Sequence, residues 1–294
     1  MSWRQFTMAL DGLDPERVEA ALEDLGAGAV TYSDAGDSPV LEPAPGETPL
    51  WPATLVTALF DDDLDEEALS AGLRAALELD ELPAWRVETL ADRAWEREWL
   101  RDFRPMRFGH RLWVCPTGSV VEEPNAVVLN MDPGLAFGTG THATTALCLE
   151  WLDAARVDGL SVLDYGCGSG ILAIAALLLG AGQASATDID AQALTAARAN
   201  AGRNSVAGRL GVVAPDELGD AAFDIVLANI LAAPLVGLAP RLAALTRGGG
   251  EIVLSGILAS QADEIRAAYE PWFETAPAVA REDWIMISGR RRED

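Results

Sequence analysis

Val162-Leu163-Asp164-Tyr165-Gly166-Cys167-Gly168-Ser169-Gly170, running directly into Ile171-Leu172-Ala173-Ile174, is the stretch whose reading decides the fold. Its first four residues have the pattern of a buried strand ending in an acid, and the apolar run from Ile171 to Gly180 reads as a helix. Between them, three glycines at alternate positions leave a bare main chain at the carboxyl end of a strand. Open α/β sheets bind ligands at that place. Without a Cβ, a ligand can approach the backbone closely. A tight strand-to-helix turn with no ligand is the plainer alternative for such a loop.

Outward from the loop, strand and helix alternate. Helix Thr144–Leu152 precedes the first strand, Ser161–Tyr165. After the loop helix come strand Ala184–Asp188, helix Ala191–Asn204, and strands Leu210–Ala214 and Phe223–Ala228. Helix Pro234–Leu245, strand Gly250–Ser255 and helix Ser260–Trp272 follow, before a closing pair in which Trp284–Gly289 is the clearer strand. This pattern predicts an α/β, Rossmann-like domain with a mostly parallel sheet covered on both faces. The first ninety residues differ. Strands at Trp3–Leu10, Val30–Ser33, Ala53–Phe60 and Trp85–Leu90 enclose helices at Asp14–Leu25 and Asp65–Leu79. Two successive β-α-β units predict a ferredoxin-like α+β sandwich. The division read from the chain is a ferredoxin-like domain over 1–91, a linker helix and connecting segment over 92–130, and the ligand-binding domain over 131–294. Five prolines between Pro39 and Pro52 mark an irregular excursion, and a helix at Asp92–Phe103 carries Trp95 and Trp99 one turn apart.

The loop's spacing is G-x-G-x-G. It lacks the third glycine of the dinucleotide pattern G-x-G-x-x-G, which sets a helix N-terminus against a pyrophosphate. S-adenosylmethionine carries no phosphate; it needs close backbone contact and a carboxylate for its ribose hydroxyls. Gly166, Gly168 and Gly170 supply the first, and Asp188, ending the second strand, supplies the second. A helix N-cap is the other reading of Asp188, but Asp190 before Ala191 fills that role better. Asn229 follows the apolar strand Phe223–Ala228, and its carbonyl oxygen can accept from an incoming amine. The glycine-rich loop from Asn130 to Thr145 brings Thr141, His142, Thr144 and Thr145 ahead of the first helix. Thr144 and Thr145 read either as cofactor contacts or as N-caps. His142 is one of only two histidines, more in keeping with a structural role than with a catalytic base.

Composition excludes several functions. The three cysteines, at 115, 148 and 167, are odd in number and far apart, against a disulfide framework or a zinc site. No metal site is expected. The net charge is −25, and all 21 basic residues are arginine. Such a chain is repelled by phosphate backbones, so no nucleic-acid partner is expected. A basic protein partner suits the charge, and acidity serving solubility alone is the competing explanation. The most apolar run is about half the length of a membrane span. The first residues lack an apolar signal region, so no signal peptide is expected; the scattered cysteines fit a reducing cytoplasm, and a monomer is expected.

The run Phe137-Gly-Thr-Gly-Thr-His-Ala-Thr-Thr145, the loop with its helix to Ala175, Asp188-Ile-Asp190 and Ala228-Asn-Ile-Leu231 together resemble the bacterial ribosomal protein L11 methyltransferase family. Arg104-Pro-Met-Arg-Phe-Gly109 and Leu254-Ser-Gly-Ile-Leu258 resemble it too. The glycine loop is shared by all class I methyltransferases; its combination with the Phe-Gly-Thr-Gly-Thr-His run is the more specific sign. The resemblance implies a seven-stranded class I domain preceded by a ferredoxin-like domain that recognises the ribosomal protein. It implies Thr145, Gly166, Asp188 and Asn229 as contacts to S-adenosylmethionine, and trimethylation of α-amino and lysine ε-amino groups. The competing functions are methylation of another amine, nicotinamide-dependent dehydrogenation, and a non-catalytic interaction role. The dehydrogenase is disfavoured by the loop spacing, and decay of the site is disfavoured by its intact glycines, Asp188 and Asn229. No general base is identifiable.

Overall fold

The computed structural model describes residues 2–36, 50–91, 104–132 and 140–293. The chain divides into two compact units, Met1–Trp95 and Glu96–Asp294. The helix expected at 92–103, most of the proline excursion, and residues 133–139 of the glycine-rich loop lie outside the described residues.

In the first unit, β1 (Ser2–Ala9), β2 (Ala29–Asp34), β3 (Thr54–Asp61) and β4 (Trp85–Ala91) form an antiparallel sheet in the order β2-β3-β1-β4. Helices α1 (Pro15–Asp24) and α2 (Glu66–Leu77) connect the strands in the β-α-β-β-α-β sequence of the ferredoxin-like fold. Asp14 caps α1 by accepting from the Glu16 N–H, with Pro15 in the first turn, where a missing N–H costs nothing. Asp65 caps α2 through the N–H groups of Glu67 and Ala68, both at 3.0 Å. Alternation in β1 puts Phe6 and Met8 on one face, against Val18, Leu22, Leu69 and Leu73 of the helices.

The second unit begins with a correction. The segment expected as a connection up to residue 130 contains three strands, β5 (Met106–Phe108), β6 (Leu112–Cys115) and β7 (Val127–Asn130), in one small sheet. Phe108, Leu112, Val114 and Leu129 are buried in the same core as Leu149, Leu152, Ile171 and Ile174. Strands of three or four residues are too short for a period to show, and Pro116, Gly118 and Pro124 fall in the loops between them.

The main sheet follows the expected alternation. Helix α3 (Ala143–Ala154) leads to β8 (Ser161–Tyr165), α4 (Ile171–Leu179), β9 (Gln183–Thr187), α5 (Ala191–Arg203) and β10 (Leu210–Val213). Then come β11 (Phe223–Asn229), α6 (Ala232–Leu245), β12 (Thr246–Leu258), α7 (Ala262–Tyr269), β13 (Phe273–Thr275), β14 (Val279–Arg281) and β15 (Trp284–Arg291). Seven strands lie in the order β10-β9-β8-β11-β12-β15-β13, and β14 pairs with β15 off that path, so the sheet has eight strands rather than the expected seven. The five from β10 to β12 are parallel, while β15 runs antiparallel to its neighbours.

The period of two along β11 decides what reaches the site. Ile225 and Leu227 face the core that α3 and α4 cover, whereas Val226 and Ala228 face α6 and α7. Asn229 therefore falls on the α3 side. Strand order reverses between β8 and β11, and the crevice outside their carboxyl ends is the topological switch point of the sheet.

Candidate active site

At that switch point the loop after β8 is shaped by its backbone. Gly166, Gly168 and Gly170 have φ values of 76°, 50° and 77°, the left-handed region that L side chains seldom enter. Each change of hand folds the loop back, and the N–H groups of Gly166 and Cys167 both reach the Thr187 carbonyl at the end of β9. A Cβ on Gly170 would lie 2.9 Å from that of Ala197, so α5 packs directly on the loop.

Asp188 completes this side. Its Oδ2 accepts from the Gly168 N–H at 2.9 Å, and its Oδ1 accepts from the Asp190 N–H at 3.0 Å. The carboxylate is thus held rigid beside the glycines, with lone pairs left for the two hydroxyls of a ribose. Asp190 caps α5 by accepting from the Gln192 N–H at 2.8 Å, so the cap role falls to it and not to Asp188.

Asn229 and Thr145 meet on the other side of the crevice. The Asn229 Nδ2 donates to Thr145 Oγ1 at 3.3 Å, across 84 residues of sequence. Thr145 is buried in the first turn of α3 and is not its cap. The cap is His142, whose Nδ1 accepts from the Thr144 N–H at 3.4 Å and lies 2.8 Å from the Thr144 hydroxyl. The threonine caps considered from sequence are therefore replaced by a histidine. With Nδ2 engaged, the Asn229 Oδ1 remains as an acceptor at the end of β11. Gly256 keeps this corner in place: at φ 83°, any Cβ there would collide with the Ile230 carbonyl next to Asn229.

Two features escaped the sequence. Asp164 sits beneath the loop, 1% exposed, and its Oδ2 accepts from the Ala173 N–H at 3.1 Å. It takes over the cap of α4 that Gly170 cannot provide. Burial pushes its carboxyl up to about 7; the Ala173 N–H opposes the rise and the Asp188 charge adds to it. An acid inside an otherwise apolar strand was the available signal. Ile189, between the two acids, is 94% exposed and leaves an apolar surface beside Asp188. All three cysteines are buried, and burial raises the thiols of Cys148, to about 12, and Cys167. Among the described residues no group of metal-ligating side chains assembles. A groove of about 600 Å³, lined by Trp151, Arg156, Asp224, Arg247 and Arg290, lies at the amino ends of β8 and β11, on the edge opposite the glycine loop.

The glycine loop at the switch point, the acid after β9 and the amide at the end of β11 define a class I methyltransferase, and these residues fit S-adenosylmethionine as methyl donor. Comparisons with known proteins agree. The model of the family Ribosomal protein L11 methyltransferase (PrmA) matches residues 2–292. A ribosomal protein L11 methyltransferase of Pseudomonas aeruginosa (strain LESB58) is 55% identical over 295 residues, covering 100% of both chains. One from Methylococcus capsulatus (strain ATCC 33009 / NCIMB 11132 / Bath) is 55% identical over 291 residues, covering 99% of each. A solved ribosomal protein L11 methylase from Lactobacillus delbrueckii subsp. bulgaricus superposes with a TM-score of 0.60 at 33% identity, over 65% of this chain and 100% of that one. The chain belongs to the ribosomal protein L11 methyltransferase family.

Proposed function

We propose that this enzyme methylates amino groups of ribosomal protein L11, acting on the α-amino group and on lysine ε-amino groups through to the trimethylated state. The observation that carries the amine assignment is the Asn229–Thr145 hydrogen bond, which fixes the amide so that Oδ1 accepts from an incoming N–H. Gly166, Gly168 and Gly170 bind the cofactor along its methionine and ribose, and Asp188 holds the ribose hydroxyls. Thr145 orients Asn229 and, with it, closes the cofactor's methionine end. S-adenosylmethionine supplies the methyl group from a sulfonium. A C–N bond forms as the C–S bond breaks, the sulfur leaves as a neutral thioether, and the amine's proton passes to water.

The acceptor must arrive as a neutral amine. For a lysine of ordinary pKa, deprotonation at neutral pH costs roughly 4 to 5 kcal/mol, and for an α-amino group only about 1. Desolvation in the crevice lowers that cost. In the first two transfers Asn229 Oδ1 then accepts from a remaining N–H and aims the lone pair, so that positioning carries much of the rate; the acceptor of the third, a neutral tertiary amine without an N–H, is held by the walls of the crevice alone.

The ferredoxin-like unit, we infer, recognises the substrate protein. Residues 1–95 hold 21 acidic residues against five arginines, while the rest of the chain holds 25 against 16. The acidity is concentrated in the first third, which suits a partner made basic by its own contacts with ribosomal RNA. We infer further that the enzyme acts as a cytoplasmic monomer without binding nucleic acid itself, in keeping with its net charge of −25. Mass spectrometry of purified L11 after incubation with enzyme and S-adenosylmethionine tests the function. Increments of one methylene on amine-bearing residues are expected, and unmodified L11 or methyl groups on oxygen or carbon would overturn it.

A further inference from the structure

The carboxyl edge of the sheet carries a second group of residues, unused by the cofactor or by Asn229. Strand β15 runs antiparallel to β12, so Trp284, paired with Leu258, stands at the same edge as Asn229, paired with Ser255. Arg281 pairs with Trp284, and Glu282 and Asp283 form the two-residue tip of the β14–β15 hairpin. Glu282 has φ 55°, a conformation a glutamate seldom adopts. Both acids are exposed, and neither side chain makes an ion pair or hydrogen bond among the described residues. The cation beside them is already engaged: Arg281 Nη2 donates to Glu150 Oε1 of α3 at 2.9 Å.

Trp284 is half-buried, and its ring meets the His142 ring edge to face, with centroids 5.0 Å apart and planes at 68°. His142 is exposed and caps α3, one turn before the Thr145 that holds Asn229. Two exposed carboxylates with no partner among the described residues therefore directly precede Trp284 in the hairpin, and its ring packs on the cap of α3.

We infer that the hairpin tip and the Trp284–His142 pair form a subsite for a cationic side chain of the protein substrate, of lysine or arginine type, next to the amine being methylated. This rests on the reading that Asn229 positions an amine of a protein. The carboxylates attract a positive charge and repel a negative one. The indole face adds cation–π attraction and covers the apolar stem of a long side chain, which a small amine would lack. The subsite thus selects amines that lie within a basic segment.

Initial-rate kinetics with full-length enzyme, S-adenosylmethionine and L11 test this. At low salt, the double variant Glu282→Gln/Asp283→Asn raises KM for L11 about three- to tenfold, and added salt raises the wild-type KM toward the same value. Trp284→Leu raises KM about five- to twentyfold, and Trp284→Phe restores much of it. His142→Asn keeps a capping side chain and removes the ring, so it raises KM with the helix intact. In the double variant and the Trp284 variants kcat and cofactor affinity stay at the wild-type level. If the wild type methylates L11 while the double variant and Trp284→Leu leave KM unchanged, the subsite is refuted and the function stands. A Trp284→Leu defect that also abolishes cofactor binding, and that Trp284→Phe does not restore, makes the indole purely structural and likewise refutes it. Failure of the wild type to methylate L11 overturns the function and the subsite together.

Discussion

The two halves of the crevice are built differently. On the β8–β9 side the site is mostly main chain: three left-handed glycines, with one carboxylate tied to the N–H of the middle one, Gly168. On the β11 side it is a single contact between two side chains from distant parts of the sequence. A main-chain site is fixed as soon as the strand and helix form, and it suits a cofactor that never changes. A side-chain site depends on α3 docking against the sheet, and it can be altered without loss of the fold. The donor half should therefore respond to substitution through affinity, and the acceptor half through turnover.

The largest expected effect breaks the donor half. Asp188→Ala removes both the proposed ribose partner and the anchor for the Gly168 N–H, and cofactor affinity, measured by calorimetry, is expected to fall by about 100-fold. Turnover at saturating cofactor changes far less. Next, Thr145→Val keeps the volume and removes the acceptor for Asn229. Turnover is expected to fall about tenfold, with a smaller loss of cofactor affinity because the pair also borders the cofactor's methionine end. Adding Asn229→Ala to it should cost less than the two single losses multiplied, because both remove the same contact.

A pH effect separates the halves further. The folded-state pKa of Asp164, about 7, lies above its ordinary 3.8, so the fold holds that proton more tightly than the unfolded chain does. Stability drawn from it is complete below the lower value and is lost as pH rises through the window to about 7. Asp164→Asn still accepts from the Ala173 N–H and should flatten that decline in thermal melts. Since a bound sulfonium favours the ionised carboxyl, cofactor affinity should rise with pH through the same window in the wild type and stay level in Asp164→Asn. The smallest effect is at Ile189. Its replacement by Ser should weaken cofactor binding about three- to fivefold by removing apolar contact, with melting temperature unchanged because the side chain is exposed.

The same division explains what could be read from the chain. The donor half was legible because its signals are local: alternate glycines after a buried strand, Asp188 at the next strand end, and Asp190 as the nearby cap. The ferredoxin-like topology was legible for the same reason, since its apolar periods and the caps at Asp14 and Asp65 are short-range. The acceptor half was legible only as separate residues. Asn229 and Thr145 could be named, but nothing in a linear sequence joins positions 84 apart. His142 was weighed as base or structural residue, and only the docked helix shows it as a cap. Strands β5 to β7 were hidden by their brevity. Asp164 was quoted as the end of a strand, but its role follows from the depth at which the loop buries it.

Single-turnover transfer with cofactor saturating, compared between wild type and Asn229→Ala, tests the division most directly. The expected result is a methyl-transfer rate reduced about 100-fold in the variant, with a smaller change in cofactor affinity. Transfer at the wild-type rate would contradict the assignment of Asn229 to the amine, and with it the acceptor half of the site.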